Sequence, residues 1–516
     1  MKRLEKTAGA RGTRATRGGA MQMLASGLLI ALLAACSLDP AYKRPDMNIP
    51  SAFKEAPHTD ATDASAASAG QWKPAQPSDA LSRGEWWTVF GDDMLNKLEE
   101  QALEANQDLK AAAARVRQSR AALSSARSAW FPEIDAGFGP TREKLSPASQ
   151  GLPQNANVPP LTLWRAQSTV SYEADLFGRV SSNVRAARAD SQQSEALFRS
   201  VQLALQADVA AAYFSLRELD AERDLYNRTI ALREEGVKLV KRRFDEGEVS
   251  ELDLSQANNS LATARAEAVG VERQRAAAEH SLAILLGKTP AEFTFPQQPL
   301  VPVTARVPAG LPSALLERRP DIAAAERAMA AANARVGLAK SAFFPKLDIT
   351  GSFGYESAGL GELFMWSSRT FLLGPFAGTA LTLPIFDGGR RKAQLAQARA
   401  QFDEDVALYR SQVLTAFREV EDNLADLRLL DDQIRAQGDA VSSAQRAAHL
   451  SQTQYREGQV SYLDVLDSER SVLVAQRQAS QLAGSQAVAT VNLIRALGGG
   501  WGDVKASDST DQVAKR

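Results

Sequence analysis

The chain has 516 residues and a formal net charge of −1, a balance that leaves no electrostatic footprint for nucleic acid. Its single cysteine excludes an intramolecular disulfide. His58, His280 and His449 stand apart from one another without metal-ligand spacing, so neither a zinc site nor a Cys/His pair is supported and no enzymatic chemistry is expected.

In chain order, six basic residues and one acidic residue precede an apolar run from Leu24 to Ala35. That is the pattern of a secretory signal over residues 1–35, too short for a transmembrane span of about 20 residues. Met21 is a second plausible start. Leu33-Ala34-Ala35-Cys36 resembles a bacterial lipobox. The resemblance implies that Cys36 becomes the first mature residue and carries N-acyl and S-diacylglycerol lipid, with no other cofactor. Ser37 after it points to the outer membrane. Residues 36–80, with Pro40, Pro45, Pro50, Pro57, Pro74 and Pro77 among Ala, Ser and Asp, read as an extended lipid-anchored tether.

A helical pattern follows over residues 92–129 and stops at Pro132. Two alternating segments come next: Ile134, Ala136 and Phe138 against Glu133, Asp135 and Gly137, then Val170, Tyr172, Ala174 and Leu176 against Ser171, Glu173 and Asp175. Period two is the strand signal. The Pro/Gly/Asn-rich stretch from Pro147 to Pro160 between them is a long loop. Proline is then absent from Leu161 through Thr289, and Arg179 to Glu246 contains one internal glycine, Gly236.

The same order is then written a second time. Trp130-Phe131-Pro132 returns as Phe343-Phe344-Pro345, and Phe244-Asp245-Glu246-Gly247 returns as Tyr455-Arg456-Glu457-Gly458, the two glycines 211 residues apart. Residues 81–300 and 301–502 are therefore read as two copies of helix, strand pair and long helical hairpin, followed by a polar tail at 503–516. The second strand pair is expected through Leu347, Ile349, Phe353 and Tyr355, then Thr379, Leu381, Leu383 and Ile385. Val209, Leu216, Ile230, Val237 and Phe244 in the first copy, and Val413, Val420, Leu427, Ile434, Val441, Ala448 and Tyr455 in the second, follow heptads. Each proline-free stretch would reach roughly 100 Å as a continuous helix. Gly247 and Gly458 mark where each hairpin turns back.

No segment is long and apolar enough for a transmembrane helix, so a membrane crossing would need strands closed into a barrel. Four strands per chain cannot close one. Two chains give eight strands with a filled interior, whereas three give twelve and leave a lumen. The barrel wall would then present Ile134, Phe138, Val170, Tyr172, Ile349, Phe353 and Leu381 to lipid.

Trp86-Trp87-Thr88-Val89-Phe90, Arg319-Pro320-Asp321-Ile322 with Ala325-Glu326, Phe343-Phe344-Pro345 and Leu383-Pro384-Ile385-Phe386-Asp387-Gly388-Gly389, in this order, resemble the lipoprotein (OprM/NodT-like) branch of the TolC-type outer-membrane factors. The resemblance covers about residues 37–502. It implies a mainly α fold with membrane β: a trimeric twelve-stranded outer-membrane β-barrel continued by a twelve-helix periplasmic α-barrel. It also implies the exit duct of a tripartite efflux system, a homotrimer joined through a periplasmic adaptor (membrane fusion protein) to an inner-membrane pump of RND type. At the periplasmic tip it assigns a gate to Leu463, Asp464, Asp467 and Arg470, with Tyr455 before the turn and Asp253 as the counterpart in the first repeat. Val460 stands where TolC itself has an arginine that ties its closed state, so the resemblance does not extend to that closure.

The residues themselves allow two plainer readings. Asp464 and Asp467 in a Leu-Asp-Val-Leu-Asp stretch also suit a helical first turn whose carboxylates complement the dipole. Phe386-Asp387-Gly388-Gly389-Arg390 lacks the Lys-Ser/Thr of a P-loop and reads as a strand-to-helix turn. The competing whole-chain function is a lipid-anchored coiled-coil adaptor or structural tether, but an adaptor carries one hairpin flanked by small β domains, and here there are two hairpins.

Overall fold

The computed structural model describes residues 41–47, 50, 52–55, 84–301, 318–373 and 381–499. Cys36, the signal segment and the polar tail lie outside these residues. In chain order the elements are α1 (Asp93–Ala105), α2 (Gln107–Ser128), β1 (Glu133–Glu143), β2 (Leu161–Ala174), α3 (Arg179–Asp245), α4 (Glu251–Leu285), α5 (Pro320–Ser341), β3 (Lys346–Ser357), β4 (Arg369–Leu373), β5 (Leu381–Thr382), α6 (Arg390–Arg456) and α7 (Tyr462–Ala496). The repeat is visible as equal lengths: α3 and α6 have 67 residues each, α4 and α7 have 35 each.

The compact units are not the two repeats. One comprises Met1–Lys43, Arg120–Ala189 and Met329–Glu404; the other comprises Arg44–Ser119, Asp190–Ala328 and Asp405–Arg516, so each draws on both copies.

The first unit holds an antiparallel sheet in the order β1-β2-β3-β4, with β5 also pairing β3. The fourth strand departs from the sequence expectation. It starts at Arg369 opposite Tyr355, and only Leu381 and Thr382 pair with the near end of β3. Thr379 lies outside the described residues, while Leu383 and Ile385 are exposed beyond the strand. The physical reason is the register: a chain returning antiparallel from the far end of β3 must begin to pair there, ahead of the more regular alternation downstream. At the junctions to the helices, Asp387 accepts from the Gly389 and Arg391 amides at 3.1 and 3.2 Å, and Asp175 from Val180 and Ser181 at 3.0 and 2.8 Å. The strand-to-helix turn reading of that glycine-rich motif is the observed one.

The second unit is helical. The helix expected over 92–129 is two helices, because Asn106 leaves the helical conformation, caps Leu109 N at 2.9 Å and donates to Leu285 O at 3.0 Å. Trp86 and Trp87 are buried with Leu95, Leu216, Leu282 and Ile494 in the main core, and Trp86 Nε1 donates to Gln206 at 3.1 Å. The heptad positions Val209, Leu216, Val413, Val420, Ala448 and Tyr455 are buried, as long packed helices require. Arg319 joins three helices: it binds Asp321, Glu419 at 2.6 Å and the Ala496 carbonyl at 3.0 Å. Burial acts to raise the Asp321 carboxyl, but the Arg319 guanidinium outweighs it and holds the group below the usual range.

The described part of the tether is irregular, with a turn at Lys54 and Glu55, and is tied down. Phe53 packs among Val420, Leu424, Leu493 and Leu497, the amides of Lys54 and Glu55 donate to Glu421 at 2.8 and 3.0 Å, and Arg44 pairs with Glu326.

Candidate functional site

The register of the sheet sorts its side chains into two unlike faces. Directly opposed residues share a face, so Ile134, Val170 and Gly351 form one rung, Phe138, Ala166 and Tyr355 another, and Phe353 with Phe371 a third. Ile134, Phe138, Val170, Tyr172, Ile349, Phe353 and Leu381, the residues expected to face lipid, all fall on this one side. Ile134, Phe138 and Phe371 are 66 %, 65 % and 75 % exposed within the chain. Leaving such side chains in water forfeits about 1.5–3 kcal/mol apiece, so this face demands an apolar neighbour. The other face carries Asp135, Arg165, Gln167, Thr169, Glu173, Asp348, Thr350 and Glu356, with Arg165 paired to Glu356 at 2.8 Å and Lys346 to Asp348 at 2.8 Å. Apolar outside and polar inside is the pattern of a strand wall around an aqueous lumen in a membrane.

The hairpin ends supply the second feature. Gly247 and Gly458 lie in the left-handed region at φ 80° and 74°. Glu248 N reaches Arg243 O at 2.8 Å, and Gln459 N reaches Gln454 O at 2.9 Å. This closes each long helix as a Schellman turn. The returning helices start with matching capping boxes: Ser250 with Asp253, and Ser461 with Asp464, whose Oδ2 accepts from Ser461 N at 3.0 Å and Oγ at 2.7 Å. The Ser461 hydroxyl, and then its amide, hold the Asp464 carboxyl below the usual range. Val240, Ala257, Tyr455, Tyr462 and Val465 form one buried cluster with Val249 and Val460 at its margin, so the two hairpin ends pack side by side.

The sequence candidates separate here into two kinds. Tyr455 is buried in the tip cluster, its ring 5.4 Å from that of Tyr462 and under the Arg243 guanidinium at 4.8 Å. Asp253 and Asp464 are capping residues. Leu463, Asp467 and Arg470 instead line a groove of about 510 Å³ between α4 and α7, shared with Gln256, Asn259, Ser260, Thr263 and Glu267. Asp467 and Arg470 do not pair with each other within the chain; both are exposed, and Leu463 is 48 % exposed.

Sequence reasoning missed Tyr462 and Arg233. Burial pushes the Tyr462 phenol up to about 12, and its oxygen would lie 3.1 Å from a Cβ placed on Gly236. That lone glycine in a 67-residue helix was the available signal of a close approach. Arg233, seven residues after buried Tyr226 on α3, is buried and donates to Ser260 O at 2.7 Å, bridging α3 to α4.

Among the described residues no group of acidic, histidine or cysteine side chains could hold a metal ion, and no helix is long and apolar enough to cross a membrane. The family model for outer membrane efflux proteins matches twice, over residues 98–288 and 311–499. The chain is 36 % identical over 488 residues to the toluene efflux pump outer membrane protein TtgF of Pseudomonas putida, covering 94 % of this chain and 98 % of that protein. Among solved structures it resembles the outer-membrane channel OprN, with TM-score 0.78 and 30 % identity over 90 % of this chain and 99 % of that one. It likewise resembles the open-state Neisseria gonorrhoeae MtrE outer membrane channel, with TM-score 0.74 and 30 % identity over 90 % and 98 %. Two family matches that span both hairpins leave no room for the single-hairpin adaptor, and the two-faced sheet supplies the membrane wall such channels need. The chain belongs to the outer membrane efflux protein family, and it is a non-enzymatic exit duct of the outer membrane with a periplasmic tunnel.

Proposed function

We propose that three copies of the chain close a twelve-stranded barrel, and that this duct receives small molecules from an RND-type inner-membrane pump through a periplasmic adaptor. The observation that carries the reading is a sheet four strands wide whose outer edges, β1 and β4, have no partner among the described residues. Open edges are not tolerated in lipid, so copies must pair edge to edge. Three copies are the smallest number that leaves a lumen. Relatives named for toluene or antibiotic efflux match 94 % and 93 % of this chain. Passage through such a lumen needs no cargo-specific pocket, and selection belongs to the pump.

The resting gate, in this reading, is the ring that Leu463 and Asp467 form around the axis at the hairpin ends, with Arg470 beside them. Asp464 and Asp253 set the geometry of the helix starts and Tyr455 anchors the turn. An adaptor that splays the paired hairpin ends at Gly247 and Gly458 opens it. An exposed Asp467–Arg470 pair between copies contributes only about 0–1 kcal/mol, so closure is adjustable by a partner. Replacing Leu463 and Asp467 together by alanine should raise single-channel conductance in planar bilayers, and Asp467→Asn should weaken cation preference. Wild-type conductance and selectivity in both variants would place the gate elsewhere.

Cys36 completes the proposal as the lipid-bearing mature N-terminus. Intact-mass measurement of the protein from outer membranes should find diacylglycerol and acyl mass on a chain that starts at Cys36; an unmodified thiol would overturn the anchor.

A further inference from the structure

The two signs of charge are segregated between the faces of the sheet. Every carboxylate of the described strands, Glu133, Asp135, Glu143, Glu173, Asp348 and Glu356, lies on the polar face, and the bases on that face are paired. The apolar face carries no carboxylate but has two arginines. Arg142 shares the side of Ile134 and Phe138, and Arg369 stands opposite Tyr355. Neither has a carboxylate within ion-pair reach among the described residues, in contrast to Arg165 and Lys346 on the other side.

Each arginine stands at the loop end of its own hairpin. Arg142 is eight residues beyond Ile134 along β1, and Arg369 opens β4 opposite Tyr355, eight residues beyond Leu347 along β3 and on the rung of Phe138, four residues short of Arg142. Eight residues cover roughly 26 Å along a strand, or about 20 Å of height at a typical tilt, against an apolar band about 25 Å tall. The strands leave their helices at Glu133 and Lys346, so this is the end of the sheet away from those helix junctions. An arginine facing lipid is costly at mid-depth and tolerated only near the interface, where an anion can meet it.

Arg369 is also held in place. Its guanidinium carbon lies 3.3 Å from the centre of the Trp366 ring, and Trp366 is 77 % exposed. The turn that presents Trp366 is fixed by fully buried Leu363, by Ser368 Oγ donating to Glu362 O at 2.7 Å, and by Phe364 packed edge-on to Tyr355 at 5.5 Å. A stacked guanidinium keeps its in-plane N–H donors free for a bidentate oxyanion. Phe364, Met365 and Phe371 expose apolar surface around it.

We propose that the outer end of the apolar face binds phosphorylated lipid headgroups of the outer leaflet, with Arg369 stacked on Trp366 as the reading group and Arg142 as a second point of charge. The occupant is a lipid, not a free anion, because the surrounding Phe364, Met365 and Phe371 offer surface only to acyl chains.

The test is native mass spectrometry of the full-length assembly in detergent, titrated in parallel with dioleoyl phosphatidate, dioleoyl phosphatidylcholine and inorganic phosphate. Wild type should retain phosphatidate in preference to phosphatidylcholine, and inorganic phosphate should not compete. Arg142→Gln with Arg369→Gln should weaken phosphatidate retention about tenfold, the scale of two lost charge-assisted contacts, and leave phosphatidylcholine unchanged. Trp366→Leu, which keeps both charges, should weaken it less. Heat-modifiable migration on gels shows whether each variant assembles; should the double variant fail to, the wild-type preference for phosphatidate decides alone. Equal retention of the two lipids by wild type, equal retention of phosphatidate by wild type and assembled double variant, or competition by inorganic phosphate would each overturn the site.

Discussion

Glu99 on α1 has no exposed surface, and neither carboxylate oxygen has a hydrogen-bond partner. Burial pushes its pKa from the ordinary 4.5 up to about 9. Between those values the folded chain keeps a proton that the unfolded chain releases, so stability is full at low pH and falls as pH rises, by up to about 1.4 kcal/mol per unit. Glu99→Gln removes the slope. Melting followed by circular dichroism should show the variant several degrees above wild type at pH 8 and level with it at pH 5; a shift independent of pH would mean that Glu99 is not protonated in the fold. Nothing in the sequence distinguishes Glu99 from its solvated neighbour Glu100, because burial of one helical position depends on which elements cover it. Asp253 and Asp464 were more legible. A serine three residues before each carboxylate, just past a glycine turn, is a local pattern that needs no tertiary partner.

At the scale of elements, the long helices pack at positions set by single small residues. A Cβ on Gly484 of α7 would lie 2.6 Å from Glu218 Cγ and 2.9 Å from Glu218 Cβ on α3, whereas one on Gly438 of α6 would meet nothing within 4 Å. Gly484→Ala should therefore destabilise the helical unit by about 1–3 kcal/mol through overpacking. Gly438→Ala should stabilise it by about 0.5–1 kcal/mol through helix propensity. Thermal melting of the two variants side by side checks the sign, and matching shifts would show that α3 and α7 do not approach closely at Gly484. The paired helices were legible because heptads and equal spacing to the turning glycines survive in both copies. The fourth strand was not. Its opening residues, Arg369 to Leu373, follow an apolar turn and alternate weakly, and only pairing with β3 makes them a strand.

At the scale of the whole molecule, the alternation of each strand says which face is apolar, and the register of the sheet shows that four strands agree. The number of chains is encoded less directly. It follows from the edges of β1 and β4, unpartnered among the described residues, together with the need to close a barrel in lipid, a constraint imposed by the solvent and absent from any one segment. The duct therefore rests on a stoichiometry, and light scattering of the detergent-purified full-length protein, corrected for bound detergent, measures it most directly. Three protein chains per particle are expected; one chain, or two, would contradict a twelve-stranded duct.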